Sequence, residues 1–480
     1  MKKTAKKALR TLARMLSAAL PVTVLATVLV TGTGTAPAQA DGGNVGSDLQ
    51  VAQSLGERDL TVIVRRAAAP PAPLRVDVVT HAGSPAGVLD LAVTIAGETP
   101  STARVELGPE PGVYGGTLRV DRAGPWELSI DDGEQVATIP FVVPAVVAPP
   151  WEDAVYGGFI AAGALLLAAL VLALAGRPGA ALVPAGGMVA ALAVGVTGAL
   201  LAPTIPLPPA VGTHLDPTAE NVADPYAPVR VTDLSRPPVN VVPGIDGDDL
   251  VLHVTDGSTG RPVDDLLVHD SAFIHLVLVS PSGDLRHVHP VRVAPGEYRV
   301  RYDDAEAGVH AVAAELARRG GGVQLARGSV TVEGDGPDTE APVRHRGDGR
   351  TGPAAGLAQD VAAAGEPSTF TADFGTATLQ PWLGMVGHMI VVGPLGDGPA
   401  GTNPAVAAPV WAHVHAMVPP TPGVPVMPDE SVAAYGPEVR FTYTFPQPGR
   451  YRVWVQAEQD YSVLTVPAVV DVPATNGAQR

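Results

Sequence analysis

Along most of the chain, strand-length runs either alternate apolar and polar positions or stay apolar throughout, and glycine or proline separates them. Residues 60–64, 74–78, 89–93 and 136–143 are examples. A period of two sends every second side chain to one face, so each run predicts a β-strand. No segment between 41 and 146 carries the longer period of an amphipathic helix.

Two stretches break this pattern. Between Asp153 and Arg177 lie 23 residues without a charge, and a second uncharged stretch follows Arg177. At about 1.5 Å per residue each can cross a hydrocarbon layer of about 30 Å. They predict helices over 154–176 and 180–202, joined by a tight turn into a transmembrane hairpin spanning 154–203. Arg177, in the turn, is the cation nearest to either span, whereas Glu152, Asp153, Asp216 and Glu220 flank the outer ends. The positive-inside rule puts the turn in the cytoplasm and both flanking regions outside.

Residues 1–40 read as a secretory signal peptide: a basic start, an apolar run from Met15 to Val30, then Ala38-Gln39-Ala40 before Asp41. An uncleaved anchor is the other reading, and both place Asp41 outside. The predicted fold class is therefore mainly β, with three Ig-like β-sandwich modules plus the hairpin. The modules are expected over 41–146, 224–334 and 357–473, with a Pro-rich stalk at 204–223 and a polar linker at 335–356.

Repetition supports three related modules. Gly112-Val113-Tyr114 is followed twelve residues on by Gly124-Pro125-Trp126, and Gly296-Glu297-Tyr298 at the same spacing by Gly308-Val309-His310. The last module has Gly449-Arg450-Tyr451. Each is a turn glycine opening a strand with a large inward residue, and each module then ends on an apolar strand.

Composition narrows the chemistry. Aromatics make up only 4% of the chain, so cores must be built from Val, Leu, Ala and Ile. Beyond residue 40 there are 25 cations against 48 acids, which disfavours nucleic acid and favours cations or basic partners. Cysteine is absent, which excludes disulfides, thiolate nucleophiles and zinc-finger sites. Gly-x-Ser-x-Gly, phosphate-loop and His-Glu-x-x-His patterns are also missing, so the chain is not expected to be an enzyme.

Histidine carries the candidate chemistry. His275 opens one apolar strand, and His287-Val288-His289 lies on the next; His388 opens another, and His413-Val414-His415 follows it. Residues two apart share a sheet face, so each His-Val-His presents two imidazoles together. A third from the partner strand would complete a site for copper, nickel or zinc. Register decides this. A two-residue turn at Ser282-Gly283 would point His275 away from His287 and His289, whereas an odd-length loop or a bulge would bring the three to one face. His269 shares that face only if its strand continues unbroken. Four of the seven methionines (Met385, Met389, Met417 and Met427) lie in the last module. Met385, Met389 and Met417 are candidate soft ligands that would favour copper, particularly Cu(I). His81, His214, His253, His310 and His345 read as surface or packing residues.

The first module, with Gly112-Val113-Tyr114 and Gly124-Pro125-Trp126-Glu127-Leu128 before Ile139-Pro140-Phe141-Val142-Val143, resembles the YtkA/FixH-like exported β-sandwich domains and, more distantly, CopC-type domains. From about Asp249 to Val472 the chain resembles actinobacterial exported proteins with tandem His-x-His-Pro modules. His275, Asp284, His287, His289 and Pro290 match the first copy. Gly387, His388, His413, His415, Pro448, Gly449 and Tyr451 match the second. Ala416 stands where the second copy would have proline, and an insertion at 393–409 separates its strands. The resemblance implies metal handling, chiefly of copper, in the cell envelope. The expectation is a membrane-integral protein holding a copper ion through His275, His287, His289, His388, His413 and His415. The alternative is a metal-free structural module that contacts an envelope protein partner.

Overall fold

The computed structural model describes residues 48–65, 67, 70–95, 101–143, 150–202, 236–303, 305–334, 356–375, 378–396, 403–418 and 428–475. The signal peptide, the stalk and all but the last residue of the linker lie outside these residues, as do His214, His345 and Met427.

The described residues form three Ig-like β-sandwiches and a helical hairpin. In the first sandwich, β1 (Leu49–Leu55), β2 (Arg58–Val64), β3 (Ala72–Thr80) and β6 (Gly112–Val120) form one sheet in the order β1-β2-β3-β6. It faces a sheet of β5 (Ser101–Leu107), β4 (Gly87–Thr94), β7 (Gly124–Asp131) and β8 (Val136–Val143), in that order. Alternation does what the sequence asks of it. In β8, Ala137, Ile139, Phe141 and Val143 point inward while the residues between them do not.

Helices α1 (Pro150–Leu174) and α2 (Pro178–Leu201) are long and apolar enough to cross a membrane. The first starts four residues before the expected 154. Glu152 and Asp153 thus occupy its first turn, where acidic side chains favour the helix N-terminus. It stops where Gly176 turns at φ +74°. A Cβ on Gly158 would lie 2.7 Å from the backbone nitrogen of Gly195, so only small residues allow this close crossing. Ile160, Leu174 and Val183 are exposed, as lipid-facing side chains would be.

The second sandwich contains β9 (Val239–Asp246), β10 (Asp249–Asp256), β11 (Leu266–Leu267), β12 (Ile274–Val279), β13 (Leu285–Val288), β14 (Val291–Ala294), β15 (Glu297–Arg301), β16 (Gly308–Arg318) and β17 (Gly322–Val332). One sheet runs β14-β15-β10-β9; the other runs β11-β16-β12-β13, with β17 paired to β16. The third contains β18 (Gly356–Asp360), β19 (Pro367–Asp373), β20 (Met385–Gly393), β21 (Val410–Met417), β22 (Glu438–Thr444), β23 (Gly449–Gln459) and β24 (Ser462–Val472). Its sheets are β18-β19-β22 and β21-β20-β23-β24.

The repeated glycines have one physical cause. Gly124, Gly308 and Gly449 hold φ of +138°, +128° and +134°, which side-chain-bearing residues rarely adopt. Two residues after each, a large side chain donates to the carbonyl four positions before it. Trp126 Nε1 reaches Arg122 at 3.1 Å, His310 Nε2 reaches Glu306 at 2.6 Å and Tyr451 Oη reaches Gln447 at 2.8 Å. This is the tyrosine corner of Ig-like sandwiches, built here with three different donors. It makes His310 a structural residue, held also by Tyr302 Oη at 2.7 Å.

Sandwiches two and three stack through their outer sheet faces. Val277, Val279, Leu285, Ala311 and Ala313 pack against Ile390, Val392, Ala405, Ala408 and Trp454. Strands β12 and β20 are consequently buried on both faces. The insertion joins this contact: Asn403 Nδ2 donates to the carbonyls of Val279 (2.8 Å) and Ser280 (3.0 Å). The first sandwich closes one end. Ala52 N donates to Ser271 O at 2.7 Å and Ser54 N to His289 O at 2.8 Å, extending the edge of β1 onto the second sandwich.

Candidate metal centre

Strands β12 and β13 are joined by the five-residue loop 280–284, with Val279 opposite Leu285 and Val277 opposite His287. The odd loop length sets His275, His287 and His289 on one face. In the third sandwich His388 is directly opposite His415, and Ile390 opposite His413, so these three imidazoles also share a face. Both are the outer faces through which the sandwiches stack. The six rings therefore form one buried chamber rather than two separate sites.

Within it, the His287 centroid lies 5.0 Å from His289, 5.5 Å from His275, 4.9 Å from His413 and 5.8 Å from His388. His413 lies 5.2 Å from His275, 5.1 Å from His388 and 4.4 Å from His415. Trp382 covers one side, 4.7 Å from His388 and 5.3 Å from His287. The two copies are wired alike. His275 donates from Nε2 to His269 O and His388 from Nε2 to Trp382 O, each at 3.1 Å and each to the carbonyl six residues earlier.

Those bonds fix the tautomers. With Nε2–H committed, the Nδ1 atoms of His275 and His388 present lone pairs. Gln456 Nε2 donates to Thr465 Oγ1 at 3.0 Å, which turns Gln456 Oε1 towards His287 Nδ1 at 3.1 Å. His287 therefore donates from Nδ1 and presents the Nε2 lone pair. His275 Nδ1 and His287 Nε2 then face each other at 3.3 Å as two acceptors with no proton between them. His388 Nδ1 meets His413 Nε2 at 2.9 Å. Two nitrogens bound to one ion at about 2.0–2.1 Å are separated by about 2.9–3.4 Å for right-angled to tetrahedral coordination.

Burial favours the neutral, ligating form of five of these rings. Burial, and then neighbouring imidazoles, push His275, His289, His388 and His413 well below the usual histidine range. Burial brings His287 down to about 4. His289 Nε2 is buried and makes no hydrogen bond. Nitrogens of His275, His287 and His413, and of His388, His413 and His415, form two groups in which all atoms lie within 4.8 Å of one another.

The thioether expectation needs correcting at Met389. Met389 alternates with His388 and points into the opposite face, where it is fully buried in the core with Phe370 and Val453. Met417 is exposed. Met385 is buried beside a register shift in β20, its backbone paired with Trp382. The donors that converge in the chamber are imidazoles, which fit Cu(II), Zn(II) or Ni(II) better than a soft Cu(I) site. Trp382, Gln456 and Glu315 at the chamber wall were not anticipated from sequence. His81, read from sequence as a surface or packing residue, is buried between the first and third sandwiches, with Nδ1 2.5 Å from Glu458 Oε1.

Gly387, next to His388, sits where a Cβ would lie 2.8 Å from the Gln456 carbonyl oxygen and 3.0 Å from Val439. Gly387→Val is expected to cost about 1–3 kcal/mol by overpacking. It should also disturb the imidazole chamber, because both Gln456 and His388 must shift. Chemical denaturation and a metal titration of the variant check this.

Residues 343–474 match the model of a domain of unknown function (DUF8832). No curated protein matches the sequence. Among solved structures, a tetra-tandem repeat from the extending region of a large adhesion protein aligns at 10% identity over 90% of this chain and 76% of that one, with a TM-score of 0.15. The chicken CNTN1 FN1–FN3 domains align at 10% identity over 88% and 99%, with a TM-score of 0.14. The central fibronectin-III array of RIM-binding protein aligns at 8% identity over 52% and 72%, with a TM-score of 0.13. At these scores the likenesses carry no argument about function.

Proposed function

We propose that this is a membrane-anchored protein of the cell envelope that binds copper in the chamber between its second and third sandwiches. The facing lone pairs of His275 Nδ1 and His287 Nε2 carry this reading: two acceptors at 3.3 Å repel until a metal ion or a proton sits between them, and burial disfavours the proton. Copper is the metal of choice because an imidazole site binds Cu(II) most tightly among the first-row divalent ions. The hairpin returns the chain to the side from which it entered. Arg177 in its turn and acids at its outer ends favour the sandwiches lying outside the cytoplasm. With no catalytic pattern among its residues, the protein is read as holding or buffering the ion rather than transforming a substrate.

Titrating the full chain in detergent with Cu(II) tests this. Wild type should bind tighter than about 1 µM, and His413→Gln should weaken binding by at least about 100-fold, since His413 belongs to both three-nitrogen groups. Binding that is weaker than micromolar, or indifferent to His287→Gln and His413→Gln, would overturn the reading.

A further inference from the structure

A chamber this closed needs a way in. His275, His289 and His388 are no more than 6% exposed, and Trp382 and the first sandwich close other sides. Side chains that keep some contact with solvent include those of Glu315 at 19% and of His269 and His415 at 15%. They gather around Asp270. Its Oδ2 lies 3.2 Å from His269 Nε2 and 3.5 Å from His415 Nδ1. Glu315 is opposite His275 across the β12–β16 pair, hence on the chamber face of the sheet. Ligand atoms of His269, Asp270 and Glu315 all lie within 4.8 Å of one another.

We propose that His269, Asp270 and Glu315 form a separate capture site at the mouth of the chamber, taking a divalent cation from solvent before it passes to the imidazoles behind. The proposal rests on the chamber being a metal centre. The six rings supply only imidazole nitrogen, whereas the mouth adds the carboxyl oxygens of Asp270 and Glu315, which can replace part of a cation's water shell. His413 links the two. Its side chain is 95% buried, its Nδ1 makes no hydrogen bond, and that atom lies 3.3 Å from Glu315 Oε2. Its Nε2 faces His388 Nδ1 in the chamber. One ring thus presents an atom to each compartment.

The mouth is preformed. Asp270 and Ser271 hold φ of +48° and +62°, and His269 and Ala272 exchange two backbone hydrogen bonds of 2.9 and 3.0 Å. The Ser271 carbonyl is pinned by Ala52 N of the first sandwich. Asparagine tolerates the left-handed conformation, so Asp270→Asn removes the charge without straining this turn.

The test uses the full chain in detergent and Cu(II) as the probe. In rapid mixing, Asp270→Asn with Glu315→Gln should slow copper uptake about tenfold, a larger factor than the accompanying loss of equilibrium affinity. A chamber-emptied variant, His287→Gln with His388→Gln, should keep a weaker Cu(II) site with a mixed oxygen–nitrogen EPR spectrum. Adding Asp270→Asn and Glu315→Gln should abolish that site. Uptake at the wild-type rate in the mouth variant overturns the proposal, as does no Cu(II) signal from the emptied variant at about 1 mM copper. Wild type failing to bind tightly while the emptied variant still shows its weak site would remove the chamber reading alone.

Discussion

Freed of metal with a chelator, the protein is expected to lose stability steeply as pH falls below about 6.5. Above that value the chamber imidazoles are neutral whether the chain is folded or unfolded, so they contribute no pH dependence. Below it, the unfolded chain takes up protons that the buried rings refuse, and stability falls. For His287 the loss runs from 6.5 down to about 4, where the folded ring also protonates. His275, His289, His388 and His413, lowered by burial and by neighbouring imidazoles, act in the same direction. Two carboxyls act oppositely. Burial, and then a neighbouring carboxylate, raise Glu315 and Glu430 to about 7, so between about 4.5 and 7 acid restores their contribution. Five imidazoles outweigh two carboxyls, so the net effect is a loss of stability as pH falls from 7 to 5. Guanidinium midpoints at pH 7 and pH 5 measure this, and equal midpoints would mean the rings are not enclosed.

The second large effect is expected at His81. Burial alone would lower its pKa, but the Glu458 carboxylate carries it up to about 9, so the two form a charged pair at neutral pH. Thr61 Oγ1, at 2.9 Å from Nε2, holds the other side of the ring. His81→Ala leaves Glu458 fully buried with no countercharge and should cost about 3–5 kcal/mol. The stabilisation from His81 is complete below pH 6.5 and is lost as pH rises through about 9. The variant should therefore lack that alkaline component in a denaturation series. A cost under about 1 kcal/mol would show that the pair does not hold the first and third sandwiches together.

How much of this was legible beforehand follows from which forces are local. The period-two runs, the turn glycines and the two uncharged stretches act through nearest neighbours, and they gave the three sandwiches and the hairpin. The Gly124, Gly308 and Gly449 repeat was visible as text, though its cause, a shared positive φ with a hydrogen bond four residues back, was not. For the site, residue spacing set each His-Val-His pair on one face, but loop length left the place of His275 open. The convergence of the two triads depends on sandwich stacking, which sequence spacing does not encode. A signal was nevertheless present: β12 and β20 are unbroken buried runs rather than alternating ones, as strands covered on both faces require. The thioether expectation failed at Met389 for a strictly local reason, since an adjacent residue in a strand must face the other way.

The stacking of β12 and β20 also governs how long an ion would remain. With ligands drawn from both sandwiches and the first sandwich as a stopper, an ion held there would have two ways out: past His413 and the mouth beside Asp270, or through neighbouring domains breathing apart. Residence would then follow how slowly these paths open more than the strength of any single coordinate bond. Such behaviour suits a reservoir, whose filling outlasts the conditions that produced it, better than a carrier that hands off its load at each encounter.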